Sequence, residues 1–75
     1  MGSKQATEFV LSREHIELCQ LLKAVGIAES GGAGKHLVAA GEVSVDGKAE
    51  SRKTAKIRAG QKVSCRGTTI LVKAP

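Results

Sequence analysis

Apolar residues in the first half of the chain recur with the spacing of one helix face. The residues of this face and its flanks are Leu18, Leu22 and Val25, with Cys19 and Leu21 beside them. Ser12 precedes the run and is a candidate N-cap, and Gly26 follows it as a stop signal. The pattern predicts a first helix over about residues 13–25.

A second apolar run lies between Ser30 and Gly41. Serine is a favoured N-cap and glycine a favoured residue just past a helix end, so a second helix is predicted over about residues 31–40. Three glycines fall in its first turn, where each is less favourable than alanine by up to about 1 kcal/mol. Such a start leaves backbone amides open to another molecule, or it lets the two helices pack closely.

Alternation of apolar and polar residues replaces the helical spacing after Gly41. Val43 and Val45 face one side of a predicted strand, and Asp46-Gly47 is a strong signal for a two-residue hairpin turn. The predicted strands cover about residues 8–11, 42–45, 48–50, 56–58, 62–65 and 68–73, and residues 1–7 are predicted to be disordered. We therefore expect an α+β fold with two helices packed on a small, mainly antiparallel sheet.

Length and composition predict one globular domain over residues 1–75, with 41% hydrophobic residues and an aliphatic core, since Phe9 is the only aromatic residue. No apolar run approaches the roughly 20 residues that cross a bilayer, and "MGSKQAT" lacks the apolar stretch of a secretory signal. We expect a cytoplasmic protein in which Cys19 and Cys65 are both reduced.

Charge is distributed very unevenly about the formal total of +5. Residues 1–47 carry four basic and six acidic residues, a balance of −2, whereas residues 48–75 carry eight basic residues against Glu50 alone, a balance of +7. A field concentrated on one region attracts polyanions, so nucleic acid is the first partner to consider. Proteins usually bind single-stranded nucleic acid by stacking its bases on exposed aromatic rings. Because Phe9 is the one Phe, Tyr or Trp of this chain and is expected in the core, structured RNA is the favoured target.

The stretch "ESGGAGKH" is similar to the phosphate-binding loop of nucleotide-binding proteins but lacks two of its parts. Glu29 stands where the first glycine is needed, and His36 follows Lys35 where a hydroxyl would bind magnesium. We therefore expect no nucleotide cofactor. Lys35 and the amides of Gly31 and Gly32 can instead approach a phosphate of a nucleic acid backbone.

The stretch "VGIAESGGAGKHLVAAGEVSVDGKAESRKTAKIRAGQKV" resembles the S-four-like RNA-binding domain, named for the fourth protein of the small ribosomal subunit, in its short ribosome-associated form. The shared marks are a Leu-rich helix ending in a glycine turn, a serine opening the second helix, the run from Gly41 to Gly47, a basic loop and Ala59-Gly60-Gln61. The likeness covers about residues 16–63. It departs from the family pattern at Gly31 and Glu42, where the family usually or often has basic residues.

The resemblance implies a two-helix RNA-binding unit on a small sheet, with no catalysis by this module. It implies structured RNA as the ligand. We expect a monomer that binds this RNA, in particular ribosomal RNA or ribosomal subunits, through phosphate contacts and shape. The RNA-binding residues expected on this basis and from the glycine-rich start are Ser30, Gly31, Gly32, Lys35, Lys48, Arg52, Lys53 and Lys56. The basic loop is expected to lie near the start of the second helix.

Two other functions are compatible with parts of the sequence. A protein-interaction adaptor would use the basic face to dock an acidic partner. A metal site would combine His15, Cys19, His36 and Cys65, but their spacing matches none of the common zinc patterns. We therefore expect no catalytic residue, no metal and no cofactor.

Overall fold

The structure, a computed structural model, describes residues 5–75. Within this range the chain forms an α+β fold, and the predicted fold class is confirmed. The elements in chain order are β1 Gln5–Val10, β2 His15–Glu17, α1 Leu18–Ala24, α2 Gly31–Ala39, β3 Val43–Val45, β4 Lys48–Ala49, β5 Lys56–Arg58, β6 Lys62–Cys65 and β7 Thr68–Lys73. The predicted disorder of residues 1–4 lies outside the described residues. For residues 5–7 the prediction is wrong, because they pair with β7.

The main sheet has five strands in the order β1-β7-β6-β3-β4. Its pairs are antiparallel except β1 and β7, which run parallel at one edge. Alternate residues of the central strands, including Val43, Val63 and Ile70, are buried and form one wall of the core. The remaining strands, β2 and β5, form a separate two-stranded ribbon.

Two tight turns join neighbouring strands of the main sheet. Asp46 and Gly47 connect β3 to β4 with φ of 52° and 84°, and Arg66 and Gly67 connect β6 to β7 with φ of 51° and 83°. Positive φ at both central residues is the geometry of the type I′ hairpin turn, in which Asp-Gly is a favoured pair. The Asp46 carboxylate also accepts a hydrogen bond from the amide of Lys62 at 2.9 Å.

The first helix begins at Leu18, five residues later than predicted. Residues 15–17 form β2 instead, with Ile16 opposite the buried Ile57 of β5. Ser12 is therefore not the N-cap: that position is Glu17, whose side chain makes no capping hydrogen bond. Backbone carbonyls from the loop before β5 replace a side-chain cap, because the amides of Leu18 and Cys19 donate to them.

The second helix starts where the sequence indicates. The Ser30 side chain accepts a hydrogen bond from the amide of Ala33 at 3.1 Å, so its predicted role as N-cap is confirmed. Each helix is followed by a glycine with positive φ, Gly26 after α1 and Gly41 after α2. Within residues 5–75, no helix combines the length and the apolar character that crossing a membrane requires.

The core lies between the two helices and the main sheet, and it is aliphatic, as expected. Its largest fully buried side chains include Leu18, Leu21 and Leu22 of α1, while the half-buried Phe9 packs against its edge. The two helices approach closely at Gly34, which is buried. This close contact positions the start of α2 beside α1 and the loop that caps it.

Candidate nucleic-acid interface

The chain between β4 and β5, residues 50–55, forms the basic loop. The carbonyl of Ala55 accepts from the amide of Leu18 at 2.9 Å, and the carbonyl of Lys53 accepts from the amide of Cys19 at 3.2 Å. Ala55 is buried against the core. The loop backbone is thus docked on the first turn of α1, and the side chains of Arg52 and Lys53 are exposed to solvent.

Lys35 of α2 and the basic loop meet in one open depression of about 740 Å³. We call it the basic depression, and it is lined by Lys35, Ser51, Arg52, Lys53, Thr54, Ala55 and Lys56. Four of these residues are cationic, and they come from two segments that lie at least 16 positions apart in the sequence. The charges of the basic loop therefore lie near the start of the second helix, as the sequence analysis expects.

The cations of the basic depression differ in their surroundings. Arg52 forms an ion pair with Glu50, with Nε at 3.2 Å from a carboxylate oxygen. No carboxylate among residues 5–75 lies within ion-pair distance of Lys35, Lys53 or Lys56. Glu17 is the cross-strand neighbour of Lys56, without an ion pair between them. Lys35, Lys53 and Lys56 thus keep their charges outside any ion pair of residues 5–75, and they generate an attractive field for an anion.

The other four predicted site residues do not line the basic depression. Ser30 uses its hydroxyl as a helix cap, and Lys48 lies in β4 opposite Val45. Gly31 and Gly32 lie in the first turn of α2, the helix that carries Lys35. The first hydrogen bond of this helix joins the Gly34 amide to the Ser30 carbonyl, so Gly31 and Gly32 precede it. Their amides have no partner within the helix for that reason.

Several polar contacts at the site were not foreseen from the sequence. Ser51 and Thr54 contribute side chains to the lining of the depression, interleaved with the basic residues of "SRKTAK". Glu50 accepts hydrogen bonds from Arg52, and the backbone and side-chain bonds together hold the pKa of Glu50 below its ordinary value. The spacing of a carboxylate two residues before an arginine was the available signal for this contact.

A second ion pair joins the end of α2 to the β6–β7 turn. Arg66 donates from Nε to Glu42 at 2.7 Å and from Nη2 to the other carboxylate oxygen at 3.2 Å. These hydrogen bonds lower the pKa of Glu42 and raise that of Arg66. The Glu42 carboxylate thus has a structural partner in this chain.

Metal-ligand geometry does not occur among residues 5–75, where no three His, Cys, Asp or Glu side chains are grouped closely enough to hold an ion. His15 lies in β2 rather than on the helix with Cys19, so the two do not share the helix face considered from the sequence. Cys19 and Cys65 are buried free thiols. Burial raises the pKa of the Cys65 thiol, which disfavours the reactive thiolate form.

The chain belongs to the S4 domain family, whose model matches residues 9–73. The resemblance deduced from the sequence is confirmed by this match. The protein YbcJ of Escherichia coli strain K12 is 52% identical over 60 residues, which cover 80% of this chain and 86% of YbcJ. YbcJ of Shigella flexneri gives the same identity and coverage.

The fold agrees with that of a solved relative. The solution structure of E. coli YbcJ has a TM-score of 0.67 and 43% identity to this chain, covering 99% of this chain and 92% of YbcJ. That structure is described as revealing an alpha-L motif involved in RNA binding. The two helices and the strands that follow them in this chain form the same arrangement.

Proposed function

We propose that this chain is a non-enzymatic monomer that binds structured RNA, in particular ribosomal RNA, through phosphate contacts in the basic depression. The observation that carries the proposal is the meeting of Lys35 with Arg52, Lys53 and Lys56 in one open depression. Membership of the S4 domain family and the RNA-binding motif described for YbcJ support RNA as the polyanion.

The electrostatics of the depression suit a nucleic acid backbone better than a small ligand. Small-molecule sites enclose most of the ligand surface, whereas this depression is open to solvent and four of its seven lining residues are cationic. Lysine and arginine side chains contact successive phosphates and release the counterions condensed there. Such contacts give affinity and orientation, and they carry no base sequence.

RNA shape supplies the specificity in this proposal. Phe9 is the only aromatic residue of the chain, and it is half-buried at the edge of the core. Unpaired bases therefore have no fully exposed Phe, Tyr or Trp ring on which to stack. Double-stranded and folded RNA is recognised mainly through the geometry of its phosphates and 2′-hydroxyls, which matches a surface built from cations and hydroxyls.

The start of α2 and the β3–β4 hairpin extend the proposed interface beyond the depression. Gly32 is exposed, and only the Ser30 hydroxyl, at 3.8 Å, lies near the position its missing Cβ would take. A phosphate can therefore approach the Gly32 amide at the positive end of the helix dipole. At Gly31 the Gln20 Nε2 atom lies 3.1 Å from the corresponding Cβ position, so a phosphate that reaches the Gly31 amide must displace this flexible side chain. Lys48 is exposed on β4 and adds a further cation.

Co-sedimentation with ribosomal subunits tests the proposal in cell extract. We expect the protein to sediment with subunits, to be released by ribonuclease treatment, and to bind purified ribosomal RNA in a titration. Crosslinking followed by sequencing of the attached RNA then identifies the bound region. Retention in a protein fraction after ribonuclease treatment, together with no affinity for purified RNA, would support the adaptor function with an acidic protein partner instead.

A further inference from the structure

Glu50 lies at the base of the basic loop and is the only acidic residue after Asp46. Its carboxylate accepts three hydrogen bonds from one residue: the Arg52 amide at 2.9 Å, Arg52 Nε at 3.2 Å and Arg52 Nη2 at 3.5 Å. The Glu50 side chain is 18% exposed, while that of Arg52 is 79% exposed. A half-buried carboxylate thus accepts hydrogen bonds from an arginine whose side chain is largely exposed to solvent.

The backbone around Glu50 is anchored on both sides. The Glu50 amide donates to the carbonyl of Val43 at 3.0 Å, which ties it to the main sheet. The Arg52 carbonyl accepts from the amide of Ala55, and Ala55 is buried beneath α1. Glu50 therefore offers its carboxylate from a fixed position, and Arg52 is held at its backbone and at its side chain.

The geometry of the guanidinium leaves donors available for a second anion. An arginine has five N–H groups, and Glu50 engages Nε and one side of Nη2. Nη1 makes no hydrogen bond with any side chain in residues 5–75, and the exposed side chain lines the basic depression. Arg52 can therefore donate to Glu50 and to a phosphate at the same time.

We propose that Glu50 is a positioning residue that holds Arg52 in the orientation in which its guanidinium receives an RNA phosphate. The inference rests on the proposed function, and it predicts that removing an acidic residue beside a phosphate site weakens RNA binding. A carboxylate beside a phosphate site repels the ligand, so electrostatics alone predicts tighter RNA binding when Glu50 is removed. Positioning predicts weaker binding, because a freed Arg52 must be immobilised again when the RNA arrives.

A double-mutant cycle separates these effects. The variants are Glu50→Ala, Arg52→Ala and the two combined, titrated at fixed ionic strength with a fluorescently labelled RNA stem-loop. We expect Glu50→Ala to weaken binding by about three- to tenfold, the cost of immobilising one long side chain. In the Arg52→Ala background the same change should leave the affinity equal or slightly higher, since only the repulsion is then removed.

Tighter binding by the Glu50→Ala chain than by the parent would overturn the inference. Equal weakening in both backgrounds would overturn it too, since it would show general damage to the loop. The Glu50→Gln variant keeps an acceptor for the Arg52 amide and should lose less affinity than Glu50→Ala, with urea unfolding midpoints confirming that both variants fold. A parent chain that binds neither the stem-loop nor purified ribosomal RNA would instead contradict the proposed function itself.

Discussion

The position that a Cβ atom would take at Gly34 lies 2.7 Å from the carbonyl oxygen of Cys19. The contact is between the backbones of α2 and α1, so neither helix can yield by rotating a side chain. Gly34 is thus the glycine that the packing of the two helices requires. At Gly32, two residues earlier, a Cβ atom would meet the Ser30 hydroxyl oxygen at 3.8 Å, an ordinary van der Waals distance.

Replacing Gly34 by alanine should therefore destabilise the fold. Forcing a methyl group into this contact costs about 1–3 kcal/mol, which exceeds the gain in helix propensity of at most about 1 kcal/mol. The matched control is Gly32→Ala, which gains the propensity without the clash and should stabilise the chain by some tenths of a kcal/mol. Urea denaturation of both variants measures this, and equal effects at the two positions would contradict the packing.

The two serines that resemble helix caps in the sequence should respond differently to substitution. Ser30→Ala removes the hydrogen bond to the Ala33 amide and should cost about 0.5–2 kcal/mol of stability. Ser12→Ala should change stability by less than about 0.5 kcal/mol, because Ser12 is exposed and caps no helix. A loss at Ser12 as large as at Ser30 would indicate that the first helix begins near Arg13 after all.

The ion pair between Glu42 and Arg66 makes part of the stability depend on pH. Hydrogen bonds from Arg66 lower the pKa of Glu42 in the folded chain, so the unfolded chain binds the proton more readily. The contribution of the pair is complete above the ordinary glutamate pKa of about 4.3 and is lost as the pH falls through the lower folded value. The stability advantage of the parent over Glu42→Gln should shrink as the pH is lowered toward about 3.

Urea midpoints across the acid range measure this dependence. Arg66→Gln is the matched variant, since it removes the donor and leaves the carboxylate, and its deficit relative to the parent should shrink over the same range. A difference between parent and either variant that stays constant with pH would show that the pair does not stabilise the folded chain.

Local signals were sufficient for α2 and the β3–β4 hairpin. Ser30 at the start, Gly41 at the end and the Asp46-Gly47 pair each act on their own backbone, within a few residues. The first helix was placed too early because its start depends on a distant segment. The predicted start after Ser12 placed Ile16 in the helix, although at 3.6 residues per turn it lies about 160° from Leu18 on the helix surface. Residues 15–17 instead pair with β5, 39 to 43 positions away, and form a ribbon. The predicted helix start rested on Ser12 as N-cap, and tertiary pairing with β5 decides the structure of residues 15–17 instead.

Charge and chain order were sufficient to predict that the basic loop lies beside Lys35. They were not sufficient to predict which of the cations form ion pairs. Whether a lysine or arginine is paired depends on side-chain geometry that composition does not contain. Glu50 was visible as the one carboxylate near the loop, but its hydrogen bonds to the Arg52 amide and guanidinium depend on the turn between them. The partnership of Glu42 with Arg66 spans 24 positions and had no local signal.

The most direct test of RNA binding by the basic depression compares two variants of equal charge. The first changes the three depression cations without an ion pair to glutamine, namely Lys35, Lys53 and Lys56, and the second changes Lys23, Lys62 and Lys73, which do not line the depression. RNA affinity is measured for both and for the parent over a salt series. Each lost phosphate contact should reduce the log–log salt slope by about 0.7–0.9, so the first variant should bind more weakly with a slope shallower by about two to three units. The second should stay within about one unit of the parent. Equal losses of affinity and slope in the two variants, or a larger loss in the second, would contradict a binding site in the basic depression.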